Sequence, residues 1–492
     1  MRILRKDGPN ILVVASPVEN VRLGEYLVVT DKERSLVVQV YDENYLDVSG
    51  IEEEVAREEV IFASTQGVTE DPAGVGTISR EIRDMRLLQC KARGSIEHGR
   101  YSSRIDWVPS RTSSKVTKLA VNELLDMVGR PGERMIKIGK SGKQQMTVPA
   151  EAFDGRVTII TGRKESGKSH LAKMITRGLV QHGAYCIVFD LNEEYGSIGL
   201  KADGTPTDIS RKVEVRRPGR NLRFSLEGAG LRAISSLLQH SLDMPGTSLR
   251  EFVRIWEAME AKHELRISSL GANIQQWRCN EFVRDALYSR YHTLSNSGLF
   301  AEGREDEFDL EGFVRSHPDG GVLVVSLSRT SPLNRRMTVE LLLSKLVELL
   351  EHRRVPPVFL VAEEAHLYLR ETYWEDLITR MRHFGAFTLF VTNQPDAIKQ
   401  EIYRQADNIF LHNFSNDSDL SLVSQASMVD ADTIRSIVRT LPQRMCLALG
   451  HAVNNLPIVV AVEAFDSPPT GVTRLFFQKE GASPRLEAPE AG

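Results

Sequence analysis

Cysteine is scarce in this chain. The four cysteines (Cys90, Cys186, Cys279 and Cys446) stand far apart, with no C-x-x-C pair among them. That spacing argues against a structural zinc site and fits a reducing compartment, so a cytoplasmic location is expected. Long hydrophobic runs are missing too. The longest, such as 322–327, have the length of a strand, whereas a membrane-crossing helix needs about 20 apolar residues. No membrane partner is therefore expected, and the first 20 residues lack the basic-then-apolar layout of a secretory signal. Nor is there an excess of positive charge, because 62 Lys and Arg against 66 Asp and Glu leave a net charge of −4. A protein that coats nucleic acid with a uniformly basic surface is excluded. Any nucleic-acid contact has to be local, as in a ring whose lumen alone is basic. With 492 residues, 41% hydrophobic and 26% charged, the chain has room for two domains with full cores.

Against these absences one run stands out. Residues 157–170 read Val-Thr-Ile-Ile-Thr-Gly162-Arg163-Lys164-Glu165-Ser166-Gly167-Lys168-Ser169-His170, an apolar strand leading into G-x-x-x-x-G-K-S. Leu171, Met174, Ile175 and Leu179 then recur at helical spacing. Strand, glycine-rich loop and helix in that order predict a phosphate-binding loop spanning Gly162 to His170. Glycines let the backbone wrap a triphosphate, so that N–H groups and the helix N-terminus point at negative charge. In such a loop Lys168 reaches the β and γ phosphates, and the Ser169 hydroxyl ligates Mg2+.

Two further strands end in polar residues suited to the same chemistry. Residues 358–366 read Val-Phe-Leu-Val-Ala-Glu363-Glu364-Ala-His366. Glu363 is expected to orient the Mg2+ shell and Glu364 to polarise the attacking water, since phosphoryl transfer depends on positioning more than on covalent chemistry. Residues 387–396 deliver Asn393-Gln394-Pro-Asp396 at a strand's C-terminal end, the edge where open α/β sheets bind ligands. Gln394 is placed to sense the γ-phosphate or hold the water. Asn-Gln-Pro-Asp is similar to the guanine-reading N-K-x-D motif, but the strand before Glu363 lacks a D-x-x-G switch, so ATP is expected rather than GTP.

Along the chain, residues 1–115 carry short apolar runs at 8–12-residue spacing, the pattern of a small β-barrel. Residues 79–93 suggest a further strand of it, 100–117 read as a Ser- and Arg-rich linker, and 118–128 as a short helix. From about 146 strands and helices alternate, predicting a mostly parallel sheet with strands at 157–161, 185–190, 322–327, 358–362, 387–392 and 408–412. Residues 228–315 read as a helical insertion, and the last 25 residues, rich in Pro, Gly and Glu, as an extended tail. Arg216, Arg217, Arg220 and Arg223 form the densest basic cluster, for which phosphate contact and a solvated loop both fit.

The order of these parts resembles the HerA family of hexameric DNA translocases, in the larger group with FtsK and the conjugation ATPases. Glu363-Glu364-Ala365-His366 matches that family's doubled acidic motif, Arg380-Met-Arg382-His-Phe-Gly385 is similar to its Arg-Lys-Phe-Gly segment, and Val21-Arg-Leu-Gly-Glu-Tyr26 to the start of its N-terminal barrel. The chain departs from the family in Arg163, Lys164 and Glu165, which replace small residues, and in Asn-Glu-Glu-Tyr195, which replaces His-Gly-Glu-Tyr. The resemblance implies an α/β fold with three parts: a HAS-barrel-like domain over 1–115, a RecA-like P-loop ATPase domain over 116–465, and a tail over 466–492. It implies a homohexamer that hydrolyses ATP to move double-stranded DNA, as a translocase or helicase, with a NurA-like nuclease or a sirtuin-like or nuclease defence effector as partner. Lys168, Glu364 and Gln394 leave no cis arginine at an obvious position, so the resemblance assigns a trans arginine, Arg382 or Arg380. A non-translocating ATP-loaded scaffold is the competing reading, while a monomeric kinase would need an acceptor lid and leave the barrel unexplained.

Overall fold

The N-terminal runs alternate along their length. In Asn10–Ala15 the side chains of Ile11, Val13 and Ala15 are buried while Leu12 and Val14 are only partly covered, so one face packs inward and the other stays wet. The computed structural model describes residues 1–46, 84–129, 132–368, 380–414 and 416–468. In it β1 (Arg2–Asp7), β2 (Asn10–Ala15), β3 (Tyr26–Asp31), β4 (Arg34–Tyr45), β5 (Arg86–Glu97), β6 (Arg100–Ser102) and β7 (Lys115–Leu119) form an antiparallel sheet. The order is β1-β2-β5-β4-β3-β7, with β6 on β5. Register shifts in the β4–β5 ladder, at Val37/Val38 and Val40/Asp42, bend the sheet into a half-barrel around Ile11, Leu27, Leu36 and Val38. Two expectations change here. The stretch 100–117 is not a linker, because it supplies β6 and β7. The helix expected at 118–128 is α1, Val121–Val128, since Leu119 belongs to β7. The part of the expected strand at 79–83 lies outside the described residues, as do residues 469–492 of the expected tail.

The second sheet has eleven strands. A hairpin of β8 (Met135–Ser141) and β9 (Gln144–Pro149) is followed by β10 (Val157–Thr161), α2 (Lys168–Gln181), β11 (Tyr185–Asp190) and β12 (Val213–Arg216). The insertion is helical as expected, with α3 (Leu226–Ser236), α4 (Gly246–Glu260), α5 (Ile267–Gln276), α6 (Glu281–Asn296) and α7 (Leu310–Ser316). Next come β13 (Gly321–Ser326), α8 (Pro332–Glu351), β14 (Val358–Glu363), β15 (Ala386–Thr392), β16 (Asn408–His412), α9 (Asp417–Ala426), α10 (Ala431–Thr440), β17 (Met445–Gly450) and β18 (Ile458–Ala461). The order is β12-β13-β11-β14-β15-β10-β16-β17-β18-β8-β9, parallel from β12 to β16 and antiparallel from β17 onward. Every residue of β10, β11, β13, β14 and β15 is buried, which is why their sequences run apolar without alternation. Seven parallel strands therefore point their C-terminal ends to one edge, and the polar loops gather there.

The two sheets meet through a small buried polar contact. Tyr26 donates its hydroxyl to the Pro457 carbonyl at 2.9 Å and Gln39 Nε2 donates to the same oxygen at 2.6 Å. Arg93 donates to Gln39 Oε1, Asp430 Oδ2 and Thr433 Oγ1 at 3.1, 3.0 and 2.9 Å. Burial alone would raise the Asp430 carboxyl, but the Thr433 hydrogen bonds, Arg93 and Lys91 hold it below its ordinary value. The stabilisation is therefore complete above the ordinary carboxylate range and is lost as pH falls through the lower folded value. Arg93→Ala should cost roughly 1–3 kcal/mol and speed hydrogen exchange in β3 and β4 while leaving β10 and β11 protected. Unchanged exchange in β3 and β4 would show that the contact does not hold the barrel.

Candidate nucleotide site

Gly162 ends β10 at φ +152, and a Cβ there would lie 2.5 Å from His412 Cβ. Gly167 has φ +106, and its Cβ would lie 3.1 Å from the Arg444 Cα. A side chain would be strained at both places, by φ and by these contacts, so the spacing of the motif is favoured by the sterics of this loop. Lys168 then opens α2. Its ammonium donates to the Gly162 and Arg163 carbonyls at 3.0 and 2.9 Å. Burial lowers its pKa, while Glu364, Glu363 and Glu194 oppose that shift.

Strand β15 lies between β10 and β14, so the loop carrying Gln394 is held between the phosphate loop and the acidic pair. Glu364 takes a left-handed backbone, φ 47, with its N–H on the Val391 carbonyl at 2.8 Å. Its Oε2 accepts from the Asn393 N–H at 3.4 Å. Glu363 is buried and accepts from the Tyr195 hydroxyl at 2.9 Å. Burial, then Glu194 and Asp190, push its carboxyl up to about 8. Asp190 itself accepts from the N–H groups of Asn192, Glu194 and Tyr195, and Glu194 pairs with Lys173 at 3.1 Å. Asp190 thus holds the turn that presents Tyr195.

These groups line one cavity of about 840 Å³, walled by Lys164 to His170, Glu194, Glu363, Glu364, Asn393, Gln394, Gln443 and Arg444. Of the residues expected from sequence, Gly162 and Arg163 lie behind the cavity, where their carbonyls hold Lys168. Among the described residues no cluster of three or more His, Cys, Asp or Glu could hold a metal by itself. The Ser169 hydroxyl and the Glu363 carboxylate fit Mg2+, which takes few protein oxygens and shares the phosphates of its nucleotide. Bound there, the ion would supply charge neutralisation at the phosphates.

Arg380 and Arg382 are not brought to this cavity. Arg382 precedes β15 and pairs with Asp407 at 3.4 Å, next to the start of β10. Parallel strands put their starts on the edge opposite their ends, and the seven residues of β15 span roughly 20 Å. Arg380 is 3.9 Å from Glu351 and borders a separate cleft of about 460 Å³ between α3 and α8. Residue 379 of the same segment lies outside the described residues. Sequence reasoning met Tyr195 only as the end of a family segment, without a role, and missed Gln443 and Arg444. Pro442-Gln443-Arg444 carries no motif, and only the pairing of β17 with β16 (His412 opposite Cys446) brings it here.

Residues 160–354 match the family model described as the central domain of the helicase HerA. That segment of the chain is similar to the HerA central domain. The match takes in the phosphate loop, the insertion, β13 and α8, and stops before Glu363, Gln394 and Arg382. Among solved structures, the unbound bacterial conjugative coupling protein TrwB aligns with 72% of this chain and 94% of its own at 14% identity, TM-score 0.51. TrwB in complex with a non-hydrolysable ATP analogue aligns over 70% and 93% at 14% identity, TM-score 0.50. No curated protein matches the chain. Among the described residues no helix is long and apolar enough to cross a membrane.

Proposed function

We propose that this chain hydrolyses ATP to translocate duplex DNA, as a homohexameric ring serving a nuclease or defence effector. The observation that carries this reading is the convergence of Lys168, Glu364 and Gln394 on one cavity while Arg382 stands on the opposite edge of the same sheet. Lys168 would bind the β and γ phosphates, Ser169 and Glu363 would hold Mg2+, Glu364 would polarise water, and Gln394 would orient it. Within one subunit Arg382 is too far from the cavity to reach a γ-phosphate, so it would serve a neighbour's site. ATP is favoured over GTP because the strand before Glu363 lacks a D-x-x-G switch, and the TrwB complex with an ATP analogue is in keeping with it. Arg217, Arg220 and Arg223 are exposed in the turn after β12, on the same edge as the nucleotide cavity. They are the candidate contacts to DNA phosphates. Arg216 is set apart from them, because it lies within β12, pairs with Glu214 and stacks on Phe308 at 4.9 Å.

ATPase rates with and without duplex DNA, beside mass photometry with ATP, test the reading. We expect DNA to raise the rate several-fold and the mass to reach six subunits. Turnover indifferent to DNA in an intact ring would favour the ATP-loaded scaffold. Monomers alone, with ATP and DNA present, would remove the ring.

A further inference from the structure

We infer that Arg444 grips the nucleotide of its own chain, at the phosphates that ATP and ADP share. The inference rests on the nucleotide-site reading above. Strand β17 runs antiparallel to β16, so its first residues return to the edge where β16 ends, beside the phosphate loop. Arg444 is fixed there from both sides. Its N–H donates to the Ser166 carbonyl at 3.0 Å, and its carbonyl accepts from the Val462 N–H at 2.7 Å. Its neighbour Gln443 donates Nε2 to the Glu165 carbonyl at 3.0 Å. The backbone of Arg444 has φ 60, a region that suits Asn or Gly better than a long side chain. Three non-glycine residues of this cavity, Glu165, Glu364 and Arg444, share that conformation, and such strain gathers at ligand clamps. Among the described residues the Arg444 guanidinium has no acidic partner, although it lines a cavity that holds several carboxylates. Gln394 and Glu364 approach from the β14–β15 side of β10 and Arg444 from the β16–β17 side. It therefore faces the end of the nucleotide away from the γ-phosphate, near His170, and a guanidinium there can hold two phosphate oxygens at once.

Arg444→Asn removes the guanidinium and suits the backbone, so its unfolding midpoint should stay at or above the wild-type value. Its dissociation constants for ATP and ADP should rise by the same factor, on the order of tenfold to a hundredfold. The kcat at saturating ATP should stay within about twofold, and Arg444→Lys should recover part of the affinity. Should the Asn variant fold poorly, Arg444→Gly repeats the measurement. Unchanged affinity for both nucleotides overturns the inference, as does a loss of kcat with ADP binding intact, which would place the contact at the γ-phosphate. Lys168→Ala, run alongside, separates the two failures. If it too leaves ATP affinity unchanged, the cavity is not the nucleotide site; if it weakens ATP and Arg444→Asn does not, only the inference about Arg444 falls.

Discussion

Glu364→Gln should bind ATP with near wild-type affinity and hydrolyse it about 10²–10⁴-fold more slowly, the usual contribution of a positioned general base. The carboxylate is held at the cavity wall by backbone rather than by side-chain packing. The left-handed turn at Glu364, its N–H on Val391 and the Asn393 N–H at Oε2 fix where it points. An amide has nearly the same shape and keeps an oxygen for Asn393, so the fold and the binding pocket should survive. What it loses is the ability to draw a proton from water. Glu363 cannot take over in place, because it is buried with one oxygen on the Tyr195 hydroxyl. Hydrolysis and nucleotide binding measured on the same preparation check this. A variant that turns over at the wild-type rate would mean that another group polarises the water.

Much of this arrangement was legible in the sequence, for a physical reason. Strands β10, β11, β13, β14 and β15 are covered on both faces, so they read as unbroken apolar runs, and the polar residues after them mark the edge where ligands bind. The glycines of the phosphate loop read true because a side chain at Gly162 or Gly167 would be strained in φ and crowded by His412 or Arg444. The strands that escaped notice are those with a wet face or a peripheral place. Met135–Ser141 interleaves Lys137 and Lys140 with its apolar residues, Val213–Arg216 is an edge of the sheet, and Lys115–Leu119 holds only two apolar side chains. The trans role expected of Arg382 says nothing of its place in the sheet, and strand direction puts it on the edge opposite the cavity. Arg444 was invisible for a different reason. It stands 277 positions after Gly167, and the pairing that joins them is a long-range contact that local patterns do not encode.

Lys168→Ala should weaken ATP binding on the order of a hundredfold or more and abolish turnover, because it removes a charged donor set between the two catalytic halves of the cavity. Its ammonium donates to the Gly162 and Arg163 carbonyls, in the middle of the loop that a triphosphate would occupy. Among the described residues no other cation takes that place. Lys164 is exposed on the loop's rim, and Arg444 approaches from the far side. An unfolding midpoint close to wild type, beside lost nucleotide binding, would separate the site effect from misfolding. The same variant tests whether the ring shares its sites. Arg382→Ala subunits should also be inactive alone, since under the ring reading each site needs a neighbour's guanidinium to stabilise the transition state, a contribution of about 10³–10⁵ in rate. Mixed with Lys168→Ala subunits, they should regain some activity, because certain interfaces then pair an intact Lys168 with an intact Arg382. Mixed rings that stay inactive would require cis action or concerted firing around the ring. Normal turnover by Arg382→Ala alone would transfer the role to Arg380, the next candidate.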